Sequence, residues 1–125
     1  MRWLVSLLLL FPNFVFAVDV TCGLLWDVPL ERIDNTPLLQ SEIQEYRIYL
    51  GINGPVDTSS PYAIASSPPS NVLVDLPEGT HTLNFQVKAV DTSGKESALS
   101  NVYSKSATVV ISPPKAPTNL RDSGT

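Results

Sequence analysis

The feature that most limits what this chain can become is the run from Thr82 to Val90. Leu83, Phe85, Val87 and Ala89 are apolar, and Thr82, Asn84, Gln86 and Lys88 between them are polar. A period of two puts one set on each face of an extended strand, one face buried and the other wet. That is the pattern of an antiparallel strand packed on one side. Leu76-Pro77-Glu78-Gly79-Thr80 leads into it and Asp91-Thr92-Ser93-Gly94-Lys95-Glu96-Ser97 leads out, both rich in residues that bend a backbone. Nowhere does a helical period persist over the roughly dozen residues a helix wants.

The remaining strands follow from the same period. Val18, Val20, Cys22, Leu24 and Trp26 share a parity and predict the inner face of a first strand. Residues 27–45 then make a polar, Pro-containing connection longer than ordinary sheet connections. Ile33, Leu38, Leu39 and Ile43 are spaced to pin that loop onto the core. Residues 46–51 predict the next strand, with Tyr46, Ile48 and Leu50 inward and Arg47 and Tyr49 outward, and Asn53-Gly54-Pro55 turns the chain. A weaker strand at 62–65 is closed by Pro68-Pro69, Val72-Leu73-Val74 leads into Leu76, and a last strand falls within 101–111.

Residues 1–17 carry one positive charge at Arg2, an apolar run from Trp3 to Phe11, and Val15-Phe16-Ala17, which suits signal-peptidase cleavage after Ala17. Pro12 and Asn13 break the run well short of the roughly 20 residues that span a bilayer. The expectation is an exported protein, secreted or held in the periplasm or cell envelope, with no stable membrane insertion after cleavage. Lipid attachment at Cys22 would need a small residue before it and an aliphatic one three before, where Thr21 and Asp19 stand.

Cleavage would leave 108 of the 125 residues, enough for one core. Losing Arg2 leaves seven Lys and Arg against twelve Asp and Glu, scattered rather than clustered. Nucleic acid is not an expected partner, because phosphate binding needs a basic patch. A lone cysteine rules out an internal disulfide. Its inward parity predicts that Cys22 is a small buried hydrophobe rather than an intermolecular bridge.

The pieces together form an ordered set: Leu24-Leu25-Trp26-Asp27, Tyr46-Arg47-Ile48-Tyr49, Leu76-Pro77-Glu78-Gly79-Thr80, Val87-Lys88-Ala89-Val90-Asp91 and Gly94-Lys95-Glu96-Ser97. Over residues 20–106 this set resembles the fibronectin type III domain, and is most similar to the versions in secreted bacterial proteins. The resemblance implies an all-β, immunoglobulin-like antiparallel sandwich occupying residues 18–112.

Two departures stand out. A tyrosine usually sits six residues before the alanine matched by Ala89, bonding back to the turn; Leu83 stands there instead, which predicts a corner short of one hydrogen bond. The family also has a first strand ahead of the tryptophan strand, and almost nothing lies between Ala17 and that strand. Residues 113–125 resemble the opening of such a first strand. A tail folded straight back would run parallel to the tryptophan strand, so self-completion is not expected. The tail reads as a Pro-rich linker or as a strand completing a neighbouring copy.

Catalysis is not expected. The single histidine, His81, lies beside a turn and reads as a solvated turn residue. No serine stands in a Gly-x-Ser-x-Gly elbow. The carboxylate pairs Glu31 with Asp34 and Glu42 with Glu45 fit loop solvation better than acid–base work. One His and one buried Cys make no zinc set, the alternating pattern of a calcium loop is absent, and no cofactor is implied. The candidate contact residues are Arg47 and Tyr49 on one strand, Gln86 and Lys88 on its neighbour, and Lys95 in the 91–97 loop, which should meet the 27–45 connection at one pole. Neither Arg-Gly-Asp nor an Asn-x-Ser/Thr acceptor occurs. The expected role is a single non-enzymatic module, monomeric or strand-exchanged, contacting a protein or glycan or acting as a spacer at the cell envelope or outside the cell. The alternatives are an accessory or assembly subunit that accepts or donates an edge strand, and a carbohydrate-binding module using Tyr49.

Overall fold

The computed structural model describes residues 16–124, so residues 1–15 of the expected leader lie outside it. Six strands follow in order: β1 (Ala17–Leu24), β2 (Ile43–Ile52), β3 (Ala63–Ala65), β4 (Ser70–Pro77), β5 (Gly79–Asp91) and β6 (Tyr103–Val109). The only helical element among the described residues is a single 3-10 turn at Gln40–Glu42. The strands form two antiparallel sheets, β1–β4 and β3–β2–β5–β6, the arrangement of a β-sandwich.

Alternation builds the core from both sheets. Cys22, Leu24, Val72, Val74 and Leu76 come from the two-stranded sheet, and Tyr46, Ile48, Leu50, Leu83, Phe85, Ala107 and Val109 from the other. Cys22 is fully buried with a free thiol, as its parity predicts. Burial fades toward the start of β1, where Val20 is half-buried and Val18 is 44% exposed. Trp26 lies beyond the end of β1, half-buried, with its ring 5.2 Å from that of Tyr46. Gly51 is required where β2 meets its turn, because a Cβ there would run into the Pro55 carbonyl.

The long connection does not sit as expected. Leu38 and Ile43 are partly covered, but Ile33 is fully exposed and Leu39 is 63% exposed. The cause is a small hairpin: Leu38 N–H donates to Leu30 O at 2.9 Å and Arg32 N–H to Thr36 O at 2.8 Å. Asp34 Oδ1 accepts from the Thr36 N–H, and Asn35 takes a left-handed φ of 68°, which asparagine tolerates. Ile33 therefore sits at a tip instead of against the core.

The corner before β5 also differs. Leu83 is fully buried and makes no polar contact, but His81 supplies a bond back to the turn, with Nε2 2.9 Å from Pro77 O. A carbonyl only accepts, so Nε2 carries the proton and the bare Nδ1 accepts from Asn53 Nδ2 at 3.1 Å. Asn53 Oδ1 in turn accepts from Thr82 N–H at 2.8 Å, which fixes the amide orientation. His81 is half-buried and held on both sides, not a solvated turn residue.

Two poles result. Ala17 pairs with Pro77 and Val109 with Gly79, so β1 begins and β6 ends at one pole. Cleavage after Ala17 would remove that first rung. At the opposite pole, Thr92 N–H donates to Glu42 O at 2.9 Å, bringing the 27–42 and 91–97 loops together as expected. Residues 113–124 contain no strand and are exposed throughout.

Candidate functional site

Register sets the outer face of the four-stranded sheet. Arg47 pairs with Lys88 and Tyr49 with Gln86, so four of the five candidate residues do share one face. Their charges are spent on neighbouring carboxylates. Arg47 Nε lies 2.8 Å from Glu45 Oε2, Arg47 Nη1 3.4 Å from Glu96 Oε2, and Lys88 Nζ 2.6 Å from Glu96 Oε1. Hydrogen bonding to Glu96 raises the Lys88 ammonium pKa, and Glu45 does the same for Arg47. Gln86 Nε2 donates to Ser100 O at 2.8 Å. Tyr49 is 3% exposed, with Lys88 Nζ 5.3 Å from its ring centre. Parity assigns its face correctly, but long neighbours cover it, so it offers no ring to a ligand.

The loop pole is organised around a cation that the sequence reading did not single out. Arg32 Nη1 donates to Asp91 Oδ2 at 2.9 Å, and Arg32 Nη2 to Glu42 Oε2 at 3.2 Å. The Asp91 Oδ1 atom accepts from the N–H groups of Ser93 and Lys95, at 2.9 and 2.8 Å. Arg32 and these N–H groups hold the Asp91 carboxyl below its ordinary range, although Asp91 itself is buried. The Leu39 N–H and then Arg32 lower Glu42 in the same way. One guanidinium thus clamps two loops, and Ile33 next to it projects fully into solvent. The signal was present as a lone cation in Glu31-Arg32-Ile33-Asp34, but its partner lies 59 residues away.

Lys95 lies on the rim of this pole beside Glu31, Ile33 and Asp34, and its ammonium makes no ion pair among the described residues. Three of the four loop carboxylates make structural bonds. Asp34 closes a turn on Thr36, Glu42 holds Arg32, and Glu45 holds Arg47. Among the described residues no group of three or more His, Cys, Asp or Glu could hold a metal ion, and no helix is long and apolar enough to cross a membrane.

A groove of about 370 Å³ runs between the end of β1 and the start of β6, lined by Leu24, Trp26, Phe85, Val87 and Tyr103 among others. The adjoining hollow toward the loop pole contains Trp26 and Tyr46. Trp26 Nε1 and the Tyr46 hydroxyl are buried there and make no well-formed hydrogen bond among the described residues; burial pushes the Tyr46 phenol up, and the neighbouring Trp26 side chain opposes that rise. Comparison of the chain with protein-family models, curated proteins and solved structures finds no significant match.

Proposed function

We propose that the chain is an exported, non-catalytic module of the fibronectin type III kind that contacts a protein partner through its loop pole. The observation that carries this reading is a fully exposed Ile33 on a hairpin clamped by Arg32, Asp91 and Glu42. An apolar side chain on a rigid mount loses little conformational freedom when a partner covers it. Lys95 nearby supplies charge for orientation. The β1–β4 and β2–β5–β6 pairings follow the B–E and C–F–G pairings of immunoglobulin-like sandwiches, which supports the family reading. The non-catalytic reading draws on His81 and the loop carboxylates being engaged in structural bonds. A glycan reading loses its basis with Tyr49 buried.

Photo-crosslinking from position 33 in the producing cells tests this, with position 64, exposed on β3, as control. A discrete adduct from position 33 alone, lost in Arg32→Ala, is expected. Equal background from both positions would overturn the reading.

A further inference from the structure

We infer that the free edge of β6 pairs antiparallel with the same edge of a second copy, giving a twofold dimer whose axis passes through Ser106. Among the described residues β5 is the only strand beside β6. The direction of the unused backbone groups follows from the other side of β5. Asn53 N–H donates to Thr82 O at 2.8 Å and Thr82 N–H to Asn53 Oδ1 at 2.8 Å, so Thr82 turns its backbone groups away from β6. Its pair with Ser106 is therefore non-bonded, and pair types alternate along an antiparallel ladder. Ser104, Ser106 and Thr108 thus aim their N–H and C=O groups at the open edge, and residues 102–111 contain no proline to interrupt a ladder. Such an edge is a template for another strand.

A second copy is the occupant because the edge is self-complementary. Centred on Ser106, the middle of Tyr103–Val109, the register sets Ser104 against Thr108 of the second copy, Val102 against its Val110 and Tyr103 against its Val109. The pairs Ser104 with Thr108, Ser106 with Ser106 and Thr108 with Ser104 then each exchange two backbone bonds. Val102 and Val110, 52% and 76% exposed in the single copy, cover one another on the outer face. Between them a row of hydroxyls crosses the axis. Thr80 Oγ1 lies 3.1 Å from Thr108 Oγ1, and Ser104 Oγ donates to Asn84 Oδ1, which leaves the Ser104 oxygen free to accept from the Thr108 hydroxyl of the second copy. On the inner face Tyr103, 47% exposed, gains Val109 of the second copy and the bare Gly79 beyond it.

Charge selects this edge and this register. The edge of β1 is open as well: Pro77 has no N–H, so its pair with Ala17 is non-bonded, and alternation turns Asp19, Thr21 and Gly23 outward. That edge carries Asp19 opposite Asp75, and a second copy of it would bring more negative charge to the same face. Between Val102 and Ile111 the only charge is Lys105, on the inner parity. An axis through Lys105 would oppose it to itself, whereas the Ser106 register sets it against the small Ala107. Each copy contributes a strip about 30 Å long and about 10 Å deep. Two such strips fall short of the roughly 1,200 Å² at which standard interfaces begin, so the dimer is a reversible one.

Sedimentation of the exported chain over a wide concentration range tests this, because a dimer dissociates by mass action. Concentration-dependent dimer is expected, weakened at least about ten-fold by Ser106→Lys, which opposes two like charges at the axis. Under mild oxidation Ser106→Cys should give a disulfide-linked dimer, since opposed residues of a bonded pair lie about 5.5 Å apart at Cα. Ser104→Cys should not, because its two copies stand four residues apart along the strands, about 14 Å. Ser106 is exposed and its N–H faces no strand of the single copy, so the substitutions there spare the fold. A monomer at every concentration, a dimer that survives Ser106→Lys, or equal cross-linking from positions 104 and 106 would each overturn the inference.

Discussion

On the outer face of the four-stranded sheet, Arg47 and Lys88 are neutralised by Glu45 and Glu96 and Lys88 lies over Tyr49, whereas on the two-stranded sheet Asp19 faces Asp75 with no counter-ion among the described residues, beside an exposed Leu73. The first surface has met its polar requirements internally. The second carries an unpaired edge, a like-charge pair and half-covered valines. A surface that has satisfied itself has little free charge to offer a partner, which is why the proposed contact is placed at the loop pole and not on the patch of β2 and β5. An open backbone edge lies on β1, and at the loop pole Ile33 stands fully exposed at the tip of its hairpin.

The largest effects should separate the two sheets by core depth. Ile48→Ala, at a fully buried site of β2, should cost about 2–5 kcal/mol in denaturant unfolding. Val20→Ala on β1 removes two carbons that are only half-buried and should cost no more than about 1.5 kcal/mol. Equal costs would break the contrast between a complete and an incomplete sheet.

The next effect lies at the loop pole and depends on pH. Asp91 and Glu42 titrate below their ordinary values of 3.8 and 4.5 when folded. A depressed carboxylate pKa contributes stability fully above the unfolded value, and that contribution fades as pH falls through the folded one. Stability should therefore be flat from neutrality to about pH 5 and decline below about pH 4, with loop amide shifts tracking the decline. Asp91→Asn should lower stability at neutral pH and flatten the acid limb. An unchanged acid limb would mean that the Arg32 clamp does not hold the loops.

The smallest effect should be of opposite sign. Asp75→Asn relieves the cross-strand repulsion with Asp19 and should stabilise the fold by roughly 0.2–1 kcal/mol, less at high salt. No gain at low salt would show that the pair is already neutralised.

The strands were legible because alternation is a local signal: β5 could be read from Leu83, Phe85, Val87 and Ala89, and the inner face of β1 from Cys22 and Leu24. Coverage was not legible. Parity puts Tyr49 on the outer face, but only the register with β5 reveals Lys88 above it. Ile33 has the spacing of an anchor, yet the Asp34-Asn35 turn aims it outward. The Arg32–Asp91 bond links positions 59 apart, which no local pattern encodes. His81 replaces the missing corner bond through Pro77, four residues back, a substitution visible only once the corner between β4 and β5 is built.

Amide hydrogen exchange along β1 in the chain lacking residues 113–125 tests the central claim most directly. The amides of Val20 and Cys22, which face β4, should be protected. Those of Asp19, Thr21 and Gly23, which face the open edge, should exchange at nearly the rate of unstructured chain. Uniform protection along β1, or uniform loss of it, would contradict the account.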